Sequence, residues 1–114
     1  VPRDVGLYIE DMLEAARRLA GYVAAMDRAA FEVDTRTIDA VIRNLEILGE
    51  AAKRVPESVR QRVAAIDWRK IAGMRDVLAH TYFEVDLDIV WDAATSKVPA
   101  LVEPLRQLLA DLDG

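Results

Sequence analysis

The chain has no cysteine in its 114 residues. That excludes a disulfide framework and any thiolate metal site. It has one histidine, His80, so a multi-histidine metal site cannot form within one copy. No apolar run approaches the ~20 residues needed to cross a bilayer. The first residues carry Arg3, Asp4, Glu10 and Asp11 and no apolar stretch of the signal-peptide kind, so a cytoplasmic protein with no membrane partner is expected. Positive charge is also short, with 15 bases against 20 acids and a net charge of −5. This counts against broad, sequence-independent DNA binding. It leaves room for a small site for one phosphate, built from one or two arginines. No cofactor is implied. Five glycines and four prolines in a chain that is 53% hydrophobic favour a packed helical domain over disorder. At this length, residues 1–114 are expected to form a single domain whose core needs neither disulfide nor metal.

What is present is helical periodicity. Val5, Tyr8, Ile9, Met12, Ala16, Leu19, Tyr22, Val23 and Met26 recur in steps of three and four, which predicts a first helix that starts near Pro2-Arg3-Asp4 and runs to about Met26. Gly21 interrupts it, as a close helix approach would allow. Residues 27–34 read as a connection, with Asp34 or Thr35 as the N-cap of a second helix that ends before Pro56. Its apolar stripe is Ile38, Val41, Ile42, Leu45, Leu48, Ala51, Ala52 and Val55. Arg43, Asn44, Glu46, Glu50 and Lys53 lie on the other sides. They read as a solvated face, with Asn44 and Glu50 also candidates to line a cleft. A short segment covers about Glu57 to Ala65. Asp67 then caps a helix from Trp68 to about Tyr82, and Asp86 caps a last one. A break is expected near Ser96 to Pro99, with a second bend at Pro104. The alternation of a half-buried strand is missing throughout. The fold class is therefore all-α: an up-and-down bundle of four longer helices and one short one.

The chemistry concentrates in Gly73-Met74-Arg75-Asp76-Val77-Leu78-Ala79-His80-Thr81-Tyr82. With Arg75 at zero and 100° per residue, Ile71, Met74, Leu78 and Thr81 cluster around roughly 280°, while Asp76 falls at about 100°, His80 at about 140° and Tyr82 near 340°. Asp76 and His80 stand at i and i+4, where an acid can orient an imidazole and stabilise its protonated form. Ala72, Gly73 and Ala79 share that outer arc, and such small residues admit a close partner. The simplest partner is a second copy, and a two-fold homodimer would place two Arg–Asp–His sets around one cleft. Cleavage of RNA by its own 2′-hydroxyl needs a base, an acid and positive charge on the phosphorane-like transition state. Histidine supplies the proton chemistry and arginine the planar donors. With one histidine per copy, two-sided acid–base catalysis favours a dimer. A lone histidine at a helix end is more often a surface or capping residue, so spacing alone does not decide the matter.

Arg75-Asp76-x3-His80 with Tyr82 two further on resembles the R-x4-H-x-Y form of the HEPN-domain motif, typical of HepT-like toxin ribonucleases. Further blocks carry the likeness: Arg3-Asp4, Tyr8-Ile9-Glu10-Asp11-Met12-Leu13-Glu14-Ala15, Ala40-Val41-Ile42-Arg43-Asn44-Leu45-Glu46-Ile47-Leu48-Gly49-Glu50-Ala51-Ala52-Lys53, Trp68-Arg69-Lys70-Ile71-Ala72-Gly73-Met74-Arg75 and Val85-Asp86-Leu87-Asp88-Ile89-Val90-Trp91. The resemblance covers nearly the whole chain. It implies a HEPN-like helical bundle that dimerises around the two motifs, and a metal-independent endoribonuclease acting as the toxin of a bacterial toxin–antitoxin pair. Its implied protein partner is a minimal nucleotidyltransferase antitoxin, which silences such toxins by attaching AMP to the motif tyrosine, here Tyr82. Asp76 stands where the family often has an amide. It cannot donate as an amide does, so orienting His80 or Arg75 is its implied role. The alternative is a non-catalytic HEPN module that binds nucleotide and partners a nucleotidyltransferase.

Overall fold

The computed structural model describes residues 4–80 and 85–113; within those spans the side chains of Arg75, Val77, Ala79 and His80 lie outside the described part. Every regular element among the described residues is helical: α1 (Val5–Val23), α2 (Arg28–Glu32), α3 (Thr35–Arg54), α4 (Glu57–Arg60), a 3-10 turn (Gln61–Val63), α5 (Trp68–His80), α6 (Leu87–Asp92), a π-helical turn (Ala93–Lys97) and α7 (Pro99–Asp113). The all-α expectation holds, although the described residues form seven α-helices where five were expected.

Aspartates set the starts. The Asp4, Asp27, Asp34 and Asp86 side chains accept from backbone N–H groups of the first turns of α1, α2, α3 and α6, satisfying donors that a helix start leaves unpaired. At Asp34 the Thr37 N–H holds the carboxyl below the usual aspartate range. The C-terminal end of α3 is closed by an arginine further along the chain. Arg60 donates from Nε to the Val55 carbonyl at 2.8 Å, and from Nη2 to the carbonyls of Ala52 at 3.0 Å and Lys53 at 3.2 Å. Three carbonyls at the helix end thereby gain charged donors, that of Ala52 in addition to the Val55 N–H.

The core runs along α3, which packs against both α1 and α5. Ile9, Met12, Leu19, Val41, Leu45 and Leu48 are fully or almost fully buried, joined by Leu105 and Leu108 of α7. These are the stripe positions that periodicity predicts. Three expectations need correction. Residues 27–34 contain α2, whose Phe31 is completely buried and meets Trp91 of α6 with ring centroids 5.1 Å apart. Five residues are too few to display a helical period, so only the tertiary contact shows it. Arg28 of α2 also pairs with Asp88 at 2.9 Å. Asn44 lies inside rather than on a solvated face, at 4% exposure. Gly21 serves no close approach, since a Cβ there would meet nothing within 4 Å. The break before Pro99 takes the form of the π turn, closed by Val98 N–H donating to the Ala93 carbonyl at 2.8 Å, while α7 continues through Pro104.

On the solvent side of α1, Arg17 and Arg18 converge on Glu14, with Arg17 Nη2 at 2.6 Å and Arg18 Nε at 3.1 Å. The Arg17 hydrogen bond, seconded by Arg18, holds the Glu14 carboxyl down to about 2. A depressed carboxylate stabilises the fold above its unfolded pKa and loses that contribution as pH falls through the folded value. The whole window lies below the ordinary glutamate range. Carboxyl titration followed by NMR should show Glu14 titrating near 2, and Arg17→Ala should move it up toward that range. Phe31→Ala should destabilise the fold by about 3–5 kcal/mol, seen as a fall in denaturant midpoint. Val33→Ala, at a position 81% exposed, should leave the midpoint nearly unchanged.

Candidate functional site on the fifth helix

α5 is short and held from its start. The Asp67 side chain accepts from the Lys70 N–H at 3.1 Å, and its carbonyl accepts from the Ile71 N–H at 3.1 Å. Trp68 is 6% exposed, and its indole N–H donates to the Val63 carbonyl at 3.1 Å. The ring is thus an apolar anchor with one polar end satisfied, which ties the first turn of α5 to the 3-10 turn. Sequence reading uses Trp68 only as a helix start. Its anchoring role shows only in the contact.

From that anchor the helix lays one side on the core. Leu78 is 6% exposed, and Ile71 and Met74 are partly buried against the core cluster. These residues form the stripe predicted at roughly 280° on the helical wheel. Together with Leu45 and Leu48 of α3, and with Val90, Val98 and Leu101 beyond, they border an apolar groove of about 510 Å³. Asp67, Lys70 and Lys97 add charge to its lining. Asp76 is not among the lining residues; it is half-buried and engaged in a contact of its own. The groove therefore follows the core flank of α5 and is not built around the motif's acid.

The backbone of α5 carries Arg75, Asp76 and His80 on consecutive turns of one helix. Their register is the predicted one, with Asp76 and His80 one turn apart. Tyr82 lies outside the described residues. At Gly73, which also borders the groove, there is room in a single chain: a Cβ built there would meet nothing within 4 Å. Of the two cleft candidates on α3, Asn44 donates from Nδ2 to the Ala40 carbonyl at 3.0 Å, and its buried Oδ1 has no partner among the described residues. Asn44 does not line the groove. Glu50 is half-buried and accepts from Arg54, Nη2 at 3.1 Å.

A family model described as "Ribonuclease HepT-like" matches residues 12–108, which takes in α5 and its motif. The chain belongs to the HepT-like family. A Thermococcus cleftensis protein named "probable ribonuclease HepT" is 38% identical over 101 residues, covering 89% of this chain and 92% of that one. A Methanocaldococcus jannaschii protein named only as a candidate RNase is 33% identical over 112 residues, covering 98% of this chain and 93% of that one. A similarly named protein of Caldanaerobacter subterraneus is 34% identical over 102 residues, covering 90% of this chain and 91% of that one. No solved structure matches significantly. In this HepT-like chain no described helix is long and apolar enough to cross a membrane.

Gly73 offers a direct test of what covers α5. In a single chain Gly73→Ala meets open space and should gain up to about 1 kcal/mol of helix stability. A bulky Gly73→Leu should leave the monomer's far-UV circular dichroism intact. It should shift the sedimentation coefficient from dimer to monomer if a second copy approaches this face.

Proposed function

We propose that this HepT-like chain is a metal-independent endoribonuclease, active as a homodimer, and the toxin of a toxin–antitoxin pair. The observation that carries the reading is the family match spanning the Arg75–His80 motif, on a helix whose Gly73 side opens to solvent. Arg75 holds the scissile phosphate and stabilises the charge of the transition state. The 2′-hydroxyl oxygen attacks phosphorus and its proton passes to His80 of one copy. The bond to the 5′-oxygen breaks, and that oxygen takes a proton from His80 of the other. The products are a 2′,3′-cyclic phosphate and a free 5′-hydroxyl, with protons and electrons balanced and no metal consumed in the step. Asp76, one turn before His80, orients the imidazole and favours its charged form. The site of action is the cytoplasm, where the RNA is.

In this reading a nucleotidyltransferase antitoxin silences the enzyme by AMPylation. The Tyr82 hydroxyl displaces pyrophosphate from ATP and keeps the AMP. The nucleotide adds bulk and negative charge two residues after His80, in the place where RNA phosphate would sit.

His80→Ala should lower the cleavage rate of purified protein about 10²–10⁴-fold while leaving its circular dichroism unchanged. Arg75→Ala should do the same through the phosphate, and RNA cleavage surviving both substitutions would overturn the assignment. Intact mass after co-expression with the antitoxin should show added AMP that disappears in Tyr82→Phe. A protein that binds nucleotide but never cleaves would instead be the non-catalytic module.

A further inference from the structure

The chain is acidic, but its charge is unevenly spread. Residues 53–75 hold seven Lys or Arg against only Glu57 and Asp67, leaving eight bases against 18 acids elsewhere. A net acidic protein thus carries one local basic segment, and that segment leads directly into the motif. Within it, Arg54 is paired with Glu50 and Arg60 is spent on the end of α3. Arg62, Arg69 and Lys70 are exposed and have no carboxylate within ion-pair reach among the described residues. Elsewhere most described arginines are paired: Arg17 and Arg18 with Glu14, Arg28 with Asp88, Arg43 with Glu46 and Arg106 with Glu103.

The placement of Arg69 is specific. On the wheel used above it falls at about 120°, between Asp76 at about 100° and the register position of His80 at about 140°. Lys70 falls at about 220°, on the flank of the apolar groove that it lines. Arg69 therefore opens the same outer stripe that carries the motif, seven residues and about 10 Å of helix ahead of Asp76. That separation corresponds to about three nucleotide steps at the ~3.4 Å per-strand spacing of a stacked strand. Arg62 lies on the 3-10 turn to which the first turn of α5 is tied. The bond from the Trp68 indole to the Val63 carbonyl joins the residue before Arg69 to the residue after Arg62. The backbone that carries both residues is tied by this bond, by the Asp67 cap and by Arg60.

We infer that Arg69, seconded by Arg62 on the adjoining 3-10 turn, forms a second phosphate subsite that holds the RNA strand two to three nucleotides from the scissile phosphate. The inference rests on the ribonuclease reading for its scissile phosphate, and adds a substrate-length requirement to it. The unpaired guanidinium groups supply bidentate donors, and the acidic remainder of the surface repels the strand from other paths.

The test uses the full chain and two probes: an RNA dodecamer and a dinucleotide too short to reach Arg69. A 2′-deoxy dodecamer, which lacks the attacking hydroxyl, reports binding without cleavage. Arg69→Ala should weaken binding of the 2′-deoxy dodecamer about tenfold. It should also reduce the slope of log affinity against log salt by about 0.7, one single-strand phosphate contact. KM for the dodecamer should rise with kcat little changed, and dinucleotide cleavage should match wild type. Arg69→Lys should restore most of the salt slope, and Arg106→Ala, a charge-matched control on α7, should change nothing. Wild-type behaviour of Arg69→Ala with both probes would overturn the subsite. So would an equal loss on dinucleotide and dodecamer, or a shift to monomer in sedimentation, which would assign Arg69 to a copy–copy contact. Failure of wild type to bind the 2′-deoxy dodecamer would also remove it. If wild type binds that strand through Arg69 yet cleaves no RNA, the subsite stands and the ribonuclease reading falls.

Discussion

The fold depends on α3 keeping two neighbours at once. Its leucines and alanines at Leu45, Leu48, Ala51 and Ala52 are buried, and both α1 and α5 pack against the helix. A single amphipathic helix in this position must be apolar over a wider arc than one facing a core on one side only. That is why Asn44, polar and in the middle of α3, ends up inside, with its amide N–H turned back on the Ala40 carbonyl. The buried amide oxygen opposite is the cost of this width.

α5 stands in a different position. It has thirteen residues, and a helix of that length is marginal by itself in water. Its core stripe rests on α3, and its first turn is held by Asp67 and by the Trp68 indole. With order supplied from one side and one end, the remaining surface need not pack within the chain. The motif's flank carries open space at Gly73 where a core helix would carry a large apolar side chain.

The same division appears in the charges. Most surface arginines are matched with acids on their own or a neighbouring helix, and such exposed pairs contribute little stability. The basic stretch that runs into α5 is left largely unmatched, so its field extends into solvent. An anion approaching an otherwise acidic protein is steered to one corner. A local concentration of this kind is compatible with a net charge that would disfavour nucleic acid over the surface as a whole.

Much of this was legible in the amino-acid order. The stripes of α1, α3 and α5 follow from steps of three and four. The capping aspartates mark where helices begin, and Arg75, Asp76 and His80 can be placed on one helix by counting. Those features are local, set by backbone periodicity and by hydrogen bonds a few residues apart. What only the tertiary structure decided involves contacts between distant residues. Phe31 makes a five-residue helix worth forming because Trp91, far along the chain, completes its surroundings. Arg60 is a cap for α3 because the chain turns back at Pro56. Trp68 is an anchor because the Val63 carbonyl lies within reach of its ring. Periodicity says which side of a helix is apolar; only packing says which sides are covered, and on α5 it leaves Arg69 exposed and Asp76 half-buried.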